Sequence, residues 1–253
     1  MSNPISTLEL ARLADRVDEL RAVNDELRAL NEAFMNDVGS TIRGEMSRSV
    51  IIDPSIGQAK LPDRSAYRTI QDAMLDTVPS SKLEARLVPD VAHATIPRIN
   101  LNGVAVTFVN AGGGSARPSI RVGVTSDGSE NYFHQFYPDK GGESVSLIGV
   151  DLELPSVKID GALPWDAIRT AWVRHSINIA TRVQLNDVTV TGGVAGETLG
   201  IVSTHRSRVS FVAIDSILNG PLVAVANAET GDAIPWTSNL QLINGARLLS
   251  TDA

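Results

Sequence analysis

The chain contains no cysteine. That absence excludes a disulfide scaffold, a thiol nucleophile and a thiolate metal centre together. Aromatic residues are only 4% of the 253 residues, against 43% apolar residues overall, so any core has to be aliphatic. No stretch approaches the run of about 18 apolar residues at which a helix becomes a candidate membrane span, and membrane insertion is not expected. Bases are also short: 22 lysines and arginines face 29 acids, for a formal charge of −7. Binding to a phosphate backbone needs a cationic surface, so nucleic acid is not an expected partner. The four histidines, His93, His134, His175 and His205, are too far apart for one helix or turn to bring two together. No metal site and no cofactor are expected. The opening stretch MSNPISTLELARLADR lacks a basic head followed by an apolar core, so it is not expected to be a secretory signal.

What the first forty residues do contain is a heptad. Leu10, Val17, Asn24, Asn31 and Val38 fall at a positions, and Leu13, Leu20, Leu27 and Phe34 at d positions. A repeat sustained over four heptads predicts a coiled coil rather than a single amphipathic surface helix. Ser6 with Glu9 forms a capping box at its start, Gly39 and Ser40 a stop, and the stripe is roughly 43 Å long. Two buried asparagines penalise slipped pairings, because their amides would be left unsatisfied. Val23 and Leu30 at g positions widen the seam, which suits three strands better than two. The expected assembly is a parallel homotrimer joined over residues 1–39; the alternative is a helix folded back on its own domain.

Beyond a neck expected over residues 40–64, the pattern becomes strand-like. An eight-residue frame recurs, apolar at its first, third, sixth and eighth places: INLNGVAV from Ile99, VSLIGVDL from Val145, VQLNDVTV from Val183, VSFVAIDS from Val209 and LQLINGAR from Leu240. Those places are apolar in 17 of 20 cases and the others in 6 of 20, so the frame carries information. Physically it is a short strand, a two-residue bend and a second strand. The bend residues Asn102-Gly103, Gly149, Asn186-Asp187 and Asn244-Gly245 tolerate left-handed backbone. Further short alternating runs lie between frames, which predicts about three strands per repeat and a mainly β fold, a parallel β-helix over residues 65–253. A β-sandwich or jelly roll is the alternative.

Within this region, YRTIQDAMLDTV over Tyr67–Val78 resembles the F-x-T-I-Q-x-A-hydrophobic opening of pectin-lyase-like β-helix proteins. The resemblance implies a right-handed coil whose N-terminal end is plugged by a short helix, with Ile70, Ala73, Met74 and Val78 as its covering face. With the stalk added, the arrangement resembles bacteriophage tail fibres and tailspikes, which are trimers with β-helix or β-prism shafts. The acidic motifs of polygalacturonases (N-T-D, G-H-G) and of pectin methylesterases (Q-D-T-L, D-F-I-F-G) are missing, so no catalytic residues carry over. One carboxylate pair is still conceivable. Asp151 and Asp215 hold the same outward place in frames two rungs apart, roughly 9.6 Å, near the upper limit for an inverting glycosidase. Outward strand positions are more often polar simply because they face water.

Three excursions gather aromatic side chains: Tyr132, Phe133, Phe136 and Tyr137 in one, Trp165 and Trp172 in a second, and Trp236 in a third. Such clusters suit sugar stacking or packing between protomers. In a trimer the second is the commoner use. The expected function is that of a non-enzymatic structural virion protein: a trimeric tail fibre or short tailspike, attached to other virion proteins through its N-terminus and meeting a host-surface polysaccharide. A trimeric capsid decoration or head fibre, and a polysaccharide-degrading spike, are the alternatives.

Overall fold

The computed structural model of the chain describes residues 16–32, 46–95, 99–112, 114–122, 125–126, 131–132, 136–156, 168–173, 180–193, 195, 198–203, 208–226 and 233–250. The chain divides into two units, Met1–Glu45 and Met46–Ala253. In the first, residues 16–32 form a helix, α1, and every one of its residues is exposed. Val17, Leu20, Val23, Leu27 and Leu30 all lie on it, with Leu20 65% exposed, and Asn24 and Asn31 fill the intervening a positions. Leu10, Leu13, Phe34 and Val38 lie outside the described residues, as do the capping box and the expected stop.

The second unit is mainly β. It opens with β1 (Ser47–Ile52) and β2 (Ala66–Tyr67), followed by α2 (Ile70–Leu75). Six passes of three strands follow: β3 (Lys82–Leu87), β4 (Ala92–Thr95), β5 (Ile99–Asn100); β6 (Ala105–Asn110), β7 (Ser119–Val122), β10 (Phe136–Tyr137); β11 (Ser144–Ile148), β12 (Asp151–Glu153), β13 (Ile168–Val173). The last three are β14 (Ala180–Asn186), β15 (Thr189–Thr191), β16 (Thr198–Ser203); β17 (Arg208–Ile214), β18 (Ile217–Asn219), β19 (Val223–Ala226); and β20 (Ala233–Ser238), β21 (Gln241–Ile243), β22 (Arg247–Leu249). The second pass is interrupted by the antiparallel hairpin β8 (Thr125–Ser126) and β9 (Asn131–Tyr132).

The first strand of each pass joins an eight-stranded sheet, the second a six-stranded sheet and the third another six-stranded sheet. Every neighbour in these three sheets is parallel, and each strand pairs with its counterpart one pass earlier and later. This is consistent with a parallel β-helix. It excludes the sandwich alternative, whose sheets would be antiparallel.

Register explains the core. On the first sheet Leu83, Val106, Val145, Val183 and Phe211 stack in one inward column, and Val50, Ala85, Phe108, Leu147, Leu185 and Ala213 in the next. All are buried. On the second sheet Ile120, Leu152, Val190 and Leu218 do the same. The expected left-handed bends are present at Asn102, Gly103, Gly149, Asp187, Asn244 and Gly245, all with positive φ.

Within the segment expected as a neck, β1 pairs with β3 along its whole length and buries Val50 and Ile52 in the core. Three expectations need correction. The frames are not copies of one corner. Those from Val145 and Val183 turn from the first sheet to the second in register, but that from Ile99 turns from the third sheet into the first, and that from Leu240 from the second into the third. The frame from Val209 is two residues out, since Val183 pairs with Phe211. Finally, α2 does bury Ile70, Ala73 and Met74, but Val78 lies beyond its end and is exposed.

The N-terminal end of the β unit is tied together around one carboxylate. Asp76, at the C-cap of α2, accepts from Lys60 Nζ at 3.1 Å and Arg64 Nε at 2.7 Å, lies 3.7 Å from Arg48 Nη1, and accepts from the Tyr67 hydroxyl. Burial alone would push this carboxyl up; the Tyr67, Arg64 and Lys60 hydrogen bonds outweigh it and hold the group well below the usual carboxylate range.

Candidate binding face on the first sheet

Outward positions of the first sheet bring two arginines onto one face. In β14, Arg182 precedes inward Val183; in β17, Arg208 precedes inward Val209. Ala180 pairs with Arg208, and Ser144, Arg182, Ser210 and Ile234 form one row across β11, β14, β17 and β20. The two arginines are therefore diagonal neighbours on one face, with backbones about 8 Å apart from the strand spacing and rise. Arg182 donates to Gln184 Oε1 at 3.2 Å. Neither guanidinium has an ion-pair partner among the described residues.

A groove of about 410 Å³ lies over this corner, bordered by Gly142, Ser144, Arg182, Arg208, Ser210 and Ile234. Beneath them Glu143, Thr181 and Val209 are buried. Two residues along β20, on the same face as Ile234, stands Trp236, paired with Val212. Trp236 is 70% exposed and Ile234 61%. The face thus offers two guanidinium groups without an ion-pair partner among the described residues, hydroxyl groups, an aliphatic side chain and an indole.

Glu143 sets the electrostatics of the corner. Its Oε1 accepts from the Gly103 N–H at 2.7 Å and its Oε2 from the Lys140 N–H at 2.9 Å, which stitches adjacent coils together. Burial pushes its carboxyl up to about 7. The two backbone bonds oppose that shift, while a shared hydrogen bond and like charge from Asp139 reinforce it. Burial beside Asp139 therefore disfavours the charged form of Glu143, which lessens the negative charge beneath Arg182 and Arg208.

The aromatic candidates scatter. Phe136 and Trp172 are fully buried and form a ring cluster with Phe108, with centroids 4.8 Å apart for Phe136–Trp172 and 5.8 and 6.1 Å from Phe108. They are core, not ligand or subunit contacts, because they point inward from the third sheet. Tyr137 is half-buried beside them. Tyr132 lies in β9, whose side chains are outside the described residues, as are Phe133 and Trp165. Trp236 alone of the seven is described as openly exposed.

Asp151 and Asp215 do not form a pair. Asp151 stacks with Thr189 and Ile217, whereas Asp215 has the left-handed bend position also held by Gly149 and Asp187. Both are engaged structurally: Arg117 bridges Asp151 at 3.2 Å and Asp187 at 2.9 Å, Asp151 accepts from the Thr189 N–H, and Asp215 accepts from Asn239. Glu153 likewise accepts from Ser119 and Arg121. Among the described residues no group of three histidines or acids is placed to hold a metal ion.

Comparison of the chain with protein-family models, curated proteins and solved structures finds no match.

Arg182, Arg208 and Glu143 were not singled out from the sequence. The two arginines each stand one place before a frame, where any solvated residue would do. Only the register shows that they share a face with Trp236.

Proposed function

We propose that the chain is a non-enzymatic structural virion protein of a bacteriophage. In this reading it is a homotrimeric tail fibre or short tailspike joined by its N-terminal helices, attached to other virion proteins by that end, with the β unit meeting the host surface. The observation that carries it is α1. The described part of α1, residues 16–32, presents Val17, Leu20, Val23, Leu27 and Leu30 with every residue exposed, and a helix in water takes most of its stability from packing its apolar face. Its apolar stripe calls for partner helices, and the asparagines at 24 and 31 fix their register. The stacked parallel sheets supply a body built without cysteine, suited to presenting a fixed surface. The residues that the sequence offered as a catalytic pair are occupied in structural networks, which removes the specific argument for a degrading enzyme.

The test is native mass by light scattering at two concentrations. A species of about 81 kDa, three times 26.9 kDa, is expected, and replacing Leu20 and Leu27 together with aspartate should reduce it to the monomer with the β signal retained. A concentration-independent monomer for the native chain would sink the trimer. Labelling of purified particles then distinguishes tail from capsid, and localisation on heads alone would favour a decoration protein.

A further inference from the structure

We infer that the outward face of the first sheet over its last three coils binds an acidic polysaccharide, one whose sugar rings carry carboxylates. The inference deepens the proposed contact with a host surface and rests on that reading. Three features converge. Arg182 and Arg208 present two guanidinium groups with no ion-pair partner among the described residues, and guanidinium is matched to carboxylate by its forked donors. Trp236 and Ile234 stand exposed on the same face, one strand away, giving a flat apolar platform for the C–H faces of a pyranose ring. The groove runs across successive rungs, so a linear chain can lie along it past the arginines, Ser210 and Ile234, with Trp236 outside its lining, two residues further along β20 on the same face.

Charge selects the ligand. A neutral glycan would cover two guanidinium groups and return no counter-charge, an arrangement that costs desolvation without compensation. A nucleic acid needs many more phosphate contacts than two arginines supply on a chain of charge −7. An acidic glycan needs only a few carboxylates placed near the arginines, with stacking on Trp236 providing the remainder.

The experiment uses the full chain, titrated calorimetrically with uronic-acid oligomers from alginate, with polysialic acid oligomers and with neutral dextran oligomers. At least one acidic oligomer should bind saturably and dextran should not. Trp236→Ala, and separately Arg182→Gln with Arg208→Gln, should each weaken binding at least tenfold, whereas Arg86→Gln, an exposed cation on the same sheet in the first coil, should not. Since Trp236, Arg182 and Arg208 are exposed, circular dichroism should be unchanged in all variants. The inference is overturned if neither acidic oligomer binds, or if Trp236→Ala leaves binding intact. It also fails if Trp236→Ala lowers the native mass, since the face would then be a contact between copies. A trimer that binds no acidic oligomer refutes this inference alone; a monomer that binds one refutes the trimer alone.

Discussion

Glu143 should make the β unit less stable as pH rises through neutrality, opposite to the usual behaviour of a carboxylate. Its ordinary value is 4.5 and its value in the folded chain is about 7. Between those limits the native state binds more protons than the unfolded one, so unfolding free energy falls with increasing pH. At about 1.4 kcal/mol for each unit of pKa, the full effect is about 3 kcal/mol, complete by pH 8. Glu143→Gln cannot titrate. It keeps one acceptor for the Gly103 or Lys140 N–H and leaves the other unpaired, a penalty of roughly 1–2 kcal/mol that does not depend on pH. Urea midpoints followed by circular dichroism at fixed protein concentration should therefore place the variant below the native chain at pH 5 and level with it or above it at pH 8. Burial lowers the His93 pKa, which works with the opposite sign on acidification below 6.5, so the quantity to read is the difference between variant and native chain. Parallel pH profiles would refute the reasoning: Glu143 would then be ionised throughout, and its negative charge would offset part of the arginines' charge at the groove.

Three further outcomes follow from the same geometry. Asp76→Asn strips the counter-charge from Arg48, Lys60 and Arg64 and should cost about 2–3 kcal/mol in urea unfolding near neutral pH. Because the folded Asp76 carboxyl sits well below its ordinary 3.8, its contribution should persist down to that pH and disappear only in stronger acid. His93 is buried with Nε2 on the Val88 carbonyl oxygen, and burial pushes its pKa below 6.5; stability should fall on acidification below that value, and His93→Leu should flatten the response in thermal melts between pH 7 and 5. Gly220 has φ +126°, and a Cβ there would meet the Gly192 carbonyl oxygen at 2.1 Å. Gly220→Ala should cost roughly 3 kcal/mol, while Gly57→Ala, which meets nothing within 4 Å, should be close to neutral in the same melts.

Much of this fold is written in local sequence. Alternation put Val145, Leu147, Val183 and Leu185 inside, and Asn-Gly and Asn-Asp pairs marked bends that only left-handed backbone can make. The heptad over residues 16–32 is visible because a helix repeats its neighbours every three or four residues. These signals are local: each needs only the preferences of a few adjacent residues.

Register was not legible, and register decides the candidate site. Each corner of a three-sided coil produces the same strand–bend–strand signal, so the frame from Ile99 and that from Val145 look alike although they turn different corners. Coil length varies too: Lys82, Ala105, Ser144, Arg182, Ser210 and Ile234 share one row, yet their separations in sequence are unequal. The sequence could therefore offer Asp151 and Asp215 as a stack that hydrogen bonding between coils does not make. The aromatics show the same limit. Phe136, Trp172 and Trp236 are all aromatic, but which of them faces the core depends on how strands from 24 to 37 residues apart align. The sequence by itself determined the helix, the bends and the inward alternation. Only the pairing of distant strands, set by packing of complete coils against one another, buried Phe136 and Trp172 and gathered Arg182, Arg208 and Trp236 on one open face.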